Sequence, residues 1–106
     1  MRYRSSFVVA APPDVVFDYL ADGANSLSEY PPGTEVVRDP PGPISIGTSF
    51  TFTRRDEVEL RCLISRFERP SDLEFENTFR DQGTRATWTF RPEGLGTRLM
   101  SVALRS

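Results

Sequence analysis

Apolar and polar residues alternate with a period of two along most of this chain, and helical spacing interrupts the alternation once, near the N-terminus. Tyr3 to Ala10 is predicted as a strand, with Phe7 and Val9 on one face and Val8 and Ala10 on the other. Pro12 and Pro13 then open a helix, where proline is tolerated because the first-turn amides have no helical partner. Asp14 stands in the first turn, where the helix dipole favours an anion. Val16, Tyr19 and Leu20, joined by Phe17, form the expected buried stripe, and Gly23 is the expected stop. Ser26-Leu27-Ser28-Glu29 fits a capping box and predicts a second, shorter helix that Pro31-Pro32-Gly33 ends.

Everything after Thr34 reads as short strands and turns. Glu35 to Arg38 is one strand, followed by the rigid loop Asp39-Pro40-Pro41-Gly42-Pro43. Gly47 to Thr53 places Phe50 and Phe52 on one face, and Arg54-Arg55-Asp56 forms a polar hairpin tip. In the long run Glu57 to Phe67, Val58, Leu60, Cys62 and Ile64 are expected inward, with Arg66 continuing that set. After the turn at Pro70-Ser71-Asp72, Leu73, Phe75, Asn77 and Phe79 share a face, opposite Glu74 and Glu76. A turn at Asp81-Gln82-Gly83 leads to Thr84–Phe90, which places Ala86, Trp88 and Phe90 inward. Thr97 to Leu104 follows, with Met100, Val102 and Leu104 expected inward. The pattern predicts an α+β domain, with about seven antiparallel strands and two short helices. A sheet with one aromatic face and little helix to cover it points to a curved sheet wrapped around something, and so to binding.

Composition narrows the chemistry. The 106 residues make one domain, and the net charge of −2 gives no long-range attraction for nucleic-acid phosphates. No apolar run is long enough for a transmembrane helix, and the first six residues do not read as a secretory signal, so a cytoplasmic protein without stable membrane insertion is expected. The sequence has no histidine and one cysteine, Cys62, and all 13 basic residues are arginine. Serine–histidine and cysteine–histidine catalysis, lysine Schiff bases and the usual tetrahedral zinc sites are therefore excluded within one chain. No cofactor is expected.

Three stretches, in this order and spacing, carry a family likeness: Val9-Ala10-Ala11-Pro12-Pro13-Asp14-Val15-Val16-Phe17; Ile46-Gly47-Thr48-Ser49-Phe50; and the pair Phe67 to Phe75 with Trp88 to Leu99, which includes Gly96-Thr97. With the order strand, helix, short helix, six strands, the chain resembles the helix-grip fold of the START-like (SRPBCC) superfamily, which includes polyketide cyclase/dehydrase-like proteins and the birch pollen allergen. The resemblance implies a cavity on the concave face of the sheet, closed in the family by a long C-terminal helix. This sequence stops at Ser106, directly after the last predicted strand. The expectation is a single domain over residues 1–106, truncated at its C-terminus, or a concave face covered by a homodimer partner, a swapped segment or another chain.

The expected ligand wall comprises Phe50, Phe52, Cys62, Ile64, Arg66, Phe75, Asn77, Phe79, Trp88, Phe90 and Met100. Asn77 and Arg66 are its polar members, able to bond a ligand carbonyl or carboxylate unless they are satisfied by backbone or solvent. Tyr19, Tyr30 and Asn77 are the candidates for a catalytic role. The pairs Glu57/Glu59 and Glu74/Glu76 read as a solvated ladder with Arg61 and Arg85 rather than as paired catalytic carboxylates. The leading expectation is binding of a small hydrophobic or amphipathic molecule, such as a lipid, polyketide or aromatic compound. The alternatives are a polyketide cyclase/dehydrase-like enzyme and a protein-interaction module that uses the apolar face.

Overall fold

The computed structural model describes residues 2–105. Strand β1 (Arg2–Val9) leads through the double proline into helix α1 (Pro13–Ala21) and a 3-10 helix (Gly23–Glu29). Six strands follow: β2 (Glu35–Asp39), β3 (Ser49–Arg54), β4 (Glu57–Glu68), β5 (Asp72–Phe79), β6 (Gln82–Glu93) and β7 (Gly96–Arg105). They form one antiparallel sheet in the order β1-β7-β6-β5-β4-β3-β2.

The change from strand to helix is held from below. Pro12 caps α1, its carbonyl accepting the first helical bond from Val16 N (3.1 Å). The fully buried Thr97 hydroxyl donates to the Ala11 carbonyl at 2.7 Å, so the first residue pair of β7 ties down the lead-in to the helix. Gly96 is required beside it, because a Cβ there would stand 2.5 Å from the Val9 carbonyl oxygen. Thr48, also buried, accepts from Ser45 N through its hydroxyl (3.0 Å) and shapes the approach to β3 in a similar way.

Helix α1 lies across one end of the concave face. Its buried side chains are Val16, Phe17 and Ala21. Phe17 meets the rings of Phe67 and Phe90 edge-on, both at 5.1 Å, and the core continues through Phe50, Ile64, Leu73 and Leu99. Outside the core, Arg69 clamps α1 with two bonds to the Asp18 carboxylate, at 2.7 and 2.8 Å. Tyr19 does not join the buried stripe: it is exposed, because the face that α1 turns to the sheet runs through 16, 17 and 21. The helix ends at Ala21 with Asp22 as its C-cap, so the expected stop, Gly23, stands just past its end. Asp22 caps the 3-10 helix by accepting from Ala24 N (3.1 Å), and Gly23 belongs to that helix. Ser26 donates to the Gly23 carbonyl (2.8 Å) instead of forming a capping box.

Three of the expected faces are reversed, each for a reason rooted in pairing. A register shift between Phe52 and Thr53 pairs Val58 with Thr53, so Val58 leaves the Leu60–Cys62–Ile64 face and is exposed. A second shift, at Ser65, pairs Arg66 with Glu74 on the convex face, and the next inward residue is Phe67, opposite Leu73. In β7, a two-residue turn at Gly94-Leu95, with Gly94 at φ +59°, sets Gly96 against Glu93. That register places Leu99 opposite Phe90, Ser101 opposite Trp88 and Ala103 opposite Ala86. The expected inward set Met100, Val102 and Leu104 therefore faces out, opposite Thr89, Thr87 and Arg85.

The apolar face is less open than its composition suggests. Phe50, Phe52, Phe75 and Phe90 are buried within this single chain, whereas Tyr3 and Phe79 at its far end, and Phe7 on the edge strand β1, are exposed. On the convex face, Glu74 and Glu76 meet Arg85 as expected (3.9 and 3.3 Å).

A candidate ligand-binding cleft

Between the 3-10 helix and the concave sheet lies a cleft of about 630 Å³, within the range of small-molecule sites. Its floor is Phe52, Leu60, Cys62, Phe75, Ala86 and Trp88, contributed by β3, β4, β5 and β6. Its roof runs from Tyr19 and Leu20 at the end of α1 to Tyr30 after the 3-10 helix. Asn25 fixes the roof by donating from its amide to the Tyr19 carbonyl at 2.7 Å. The Tyr30 ring stacks on Phe52, with centroids 4.6 Å apart and planes 18° from parallel.

The structure divides the expected ligand wall into four groups. Phe52, Cys62, Phe75, Asn77 and Trp88 line the cleft. Phe50, Ile64 and Phe90 are core residues beneath α1 and do not reach it. Phe79 is on the same sheet face but lines an adjoining cleft of about 290 Å³, with Tyr3, Gln82 and Arg105. Arg66 and Met100 lie on the convex face and are removed from the site by the bulge and the turn described above. Arg66 is instead ion-paired with Glu68 at 3.0 Å.

Tyr19, Tyr30 and Asn77 all line the main cleft. Among the described residues, the Asn77 amide and the Tyr30 hydroxyl have no protein hydrogen-bond partner. Both are free to bond a guest. Burial, reinforced by the neighbouring Cys62 and Glu29, pushes the Tyr30 phenol above its ordinary value, so near neutral pH it is a protonated donor. The Cys62 thiol is pushed up to about 11 by burial alone, which makes it a small apolar wall residue rather than a nucleophile. The roof residues Asp22, Ser26, Ser28 and Glu29 escaped sequence reasoning. Their polar character reads as ordinary surface helix, and only the placement of the 3-10 helix over the sheet turns them towards a cavity.

A lone α1 and a 3-10 helix gripped by a seven-stranded curved antiparallel sheet define the helix-grip, START-like class. Residues 1–105 match the family described as polyketide cyclase / dehydrase and lipid transport, and the chain belongs to that family. Solved structures with the same fold include CalU16 from Micromonospora echinospora (18% identity, TM-score 0.69, 96% of this chain and 59% of that one). Ara h 8.0201 is another (11% identity, TM-score 0.75, 99% of this chain and 76% of that one). The Aha1 dimer from Colwellia psychrerythraea is a third (7% identity, TM-score 0.72, 100% of this chain and 77% of that one). At these identities the likeness is one of fold, and the chain spans less than two thirds of the length of CalU16. No curated protein matches the chain by sequence. Among the described residues, no helix is long and apolar enough to cross a membrane.

Proposed function

We propose that this domain binds a small hydrophobic or amphipathic molecule in the cleft between the 3-10 helix and the sheet. The observation that carries the proposal is the combination in one 630 Å³ space of an apolar floor with two unpartnered polar groups, Asn77 and Tyr30. An apolar body covers Trp88, Ala86 and Leu60, and one polar group of the guest meets the amide or the phenol. Lipid transport is one of the activities for which the family is described, and it accords with this use of the cleft.

Trp88 is the only tryptophan and stands in the floor, so its emission reports occupancy directly. Titration with decanol, a small uncharged amphiphile, shifts and saturates that emission, and Trp88→Phe abolishes the signal while calorimetric heat remains. Emission that stays unchanged, together with no heat of binding, refutes the proposal.

A second reading, a cyclase-like reaction, is favoured by one observation: Tyr30, whose phenol is held protonated, lines the same cavity, where it can donate to a substrate ketone. Folding the substrate chain against the floor would supply the proximity such a condensation needs. Tyr30→Phe lowers turnover at least tenfold if the phenol takes part, and turnover that survives Tyr30→Phe combined with Asn77→Ala removes both residues from any catalytic role.

A further inference from the structure

The lining of the cleft has a sign. Its charged members are Asp22 and Glu29, both on the roof, and no arginine lines it, although the chain holds 13 basic against 15 acidic residues. Neither roof carboxylate forms an ion pair among the described residues. On the convex face, by contrast, Asp72, Glu74, Glu76 and Glu93 are each matched to an arginine. Asp22 uses one oxygen to accept from Ala24 N (3.1 Å), and Glu29 is unengaged. The rings of Trp88 and Tyr30, which line the cleft, supply further negative potential to a cation, and the Asn77 amide offers a carbonyl acceptor. An anion finds the opposite. The backbone donor at the start of the 3-10 helix is already taken by Asp22. Two arginines stand in neighbouring cavities that share Asn77 and Thr84 with this one: Arg105, whose guanidinium donates to Gln82 Oε1 at 2.6 Å, and Arg85, which is paired with Glu74 and Glu76.

We infer that the preferred guest is an amphipathic amine, its apolar body on the Phe52–Trp88 floor and its ammonium group at the roof beside Asp22 and Glu29, an inference that rests on the cleft being a ligand site. Carboxylates and phosphate esters of the same apolar body are disfavoured. The discrimination is electrostatic, so it weakens as salt screens the partly exposed carboxylates.

Three ten-carbon probes, decylamine, decanol and decanoate, separate the possibilities when each is titrated near neutral pH against Trp88 emission. The expected order is amine, then alcohol, then carboxylate, with the amine about two- to fivefold tighter than the carboxylate at low salt, the scale of one partly exposed charge pair. The ratio shrinks on adding about 0.5 M salt, where the screening length falls to a few ångströms. It approaches one in Asp22→Asn/Glu29→Gln, amide changes that keep side-chain size and, at position 22, the oxygen that caps the 3-10 helix. Decanoate binding as tightly as decylamine, or a ratio unchanged in the double variant, overturns the inference while leaving the cleft as a binding site. Decanoate binding that Arg105→Gln abolishes overturns it in favour of an anion site in the adjoining cleft. Binding of none of the three, decanol included, removes the ligand site itself.

Discussion

Replacing Phe17 with alanine tests how the helix that forms the cleft's shoulder is held to the sheet. The ring is fully buried and makes two edge-on contacts at 5.1 Å, with Phe67 and Phe90. Removing a buried phenylalanine costs about 3–5 kcal/mol, a figure that includes the cavity left behind. Each edge-to-face pair adds about 0.5–1.5 kcal/mol beyond area burial, much of it already inside that range. Alanine's better helix propensity returns only about 0.5 kcal/mol, so packing wins. The net expectation is a loss of about 3–4 kcal/mol, a large share of the roughly 5–15 kcal/mol that holds a domain together. Urea unfolding followed by Trp88 emission and by far-ultraviolet dichroism measures it. The midpoint falls by about 1 M or more with an unchanged slope, given slopes of about 1–3 kcal/mol/M for small proteins. Phe17→Leu, which keeps most of the volume, loses less than about 1.5 kcal/mol. A loss for Phe17→Ala below about 1.5 kcal/mol at unchanged slope refutes the packing account. So does a markedly reduced slope, which would mean that α1 detaches separately from the sheet.

The register of β7 is tested by a pair of neighbours: Leu99→Ala should cost about 2–5 kcal/mol and Met100→Ala under about 1 kcal/mol, and equal losses in urea unfolding would contradict the turn-set register. Gly23→Ala places a Cβ 2.7 Å from Phe50 Cγ, so overpacking of about 1–3 kcal/mol exceeds the gain in backbone entropy of about 0.4–1 kcal/mol, and the melting temperature should fall rather than rise. The Cys62 thiol, held at about 11, should resist iodoacetamide in the native protein near pH 8 and react quickly in urea; fast native alkylation would place it outside the wall. Because its folded value lies above the ordinary 9.0, Cys62 contributes stability below pH 9.0 that is lost as pH rises towards about 11, and Cys62→Ala should flatten that alkaline decline in the urea midpoint.

The strand-to-helix change at Pro12-Pro13 was legible because proline's fixed φ and missing amide act within a few residues. Phe50, Phe52, Phe75, Trp88 and Phe90 were correctly assigned to one sheet face, since a period of two is a local property of an extended chain. Arg66, Val58 and Met100 were not, because a bulge or a tight turn between the pattern and its partner reverses every later side chain. In β7 the residues Leu99 to Leu104 are apolar on both faces, so alternation could not choose. The Gly94-Leu95 turn could have decided it, since a two-residue hairpin fixes which residues stand opposite.

The amino-acid sequence by itself determined the order of elements, the aromatic character of one sheet face and the exclusion of histidine-based chemistry, all properties written in local spacing and residue type. Tertiary structure alone decided which aromatics became core and which became cleft. Phe50 and Phe90 vanish under α1 and the 3-10 helix, whereas Trp88 remains partly exposed along the cavity, because the two short helices cover only one end of the sheet. It also decided the sign of that cavity. Asp22 and Glu29 read as surface residues until the 3-10 helix places them over an apolar floor that no arginine lines.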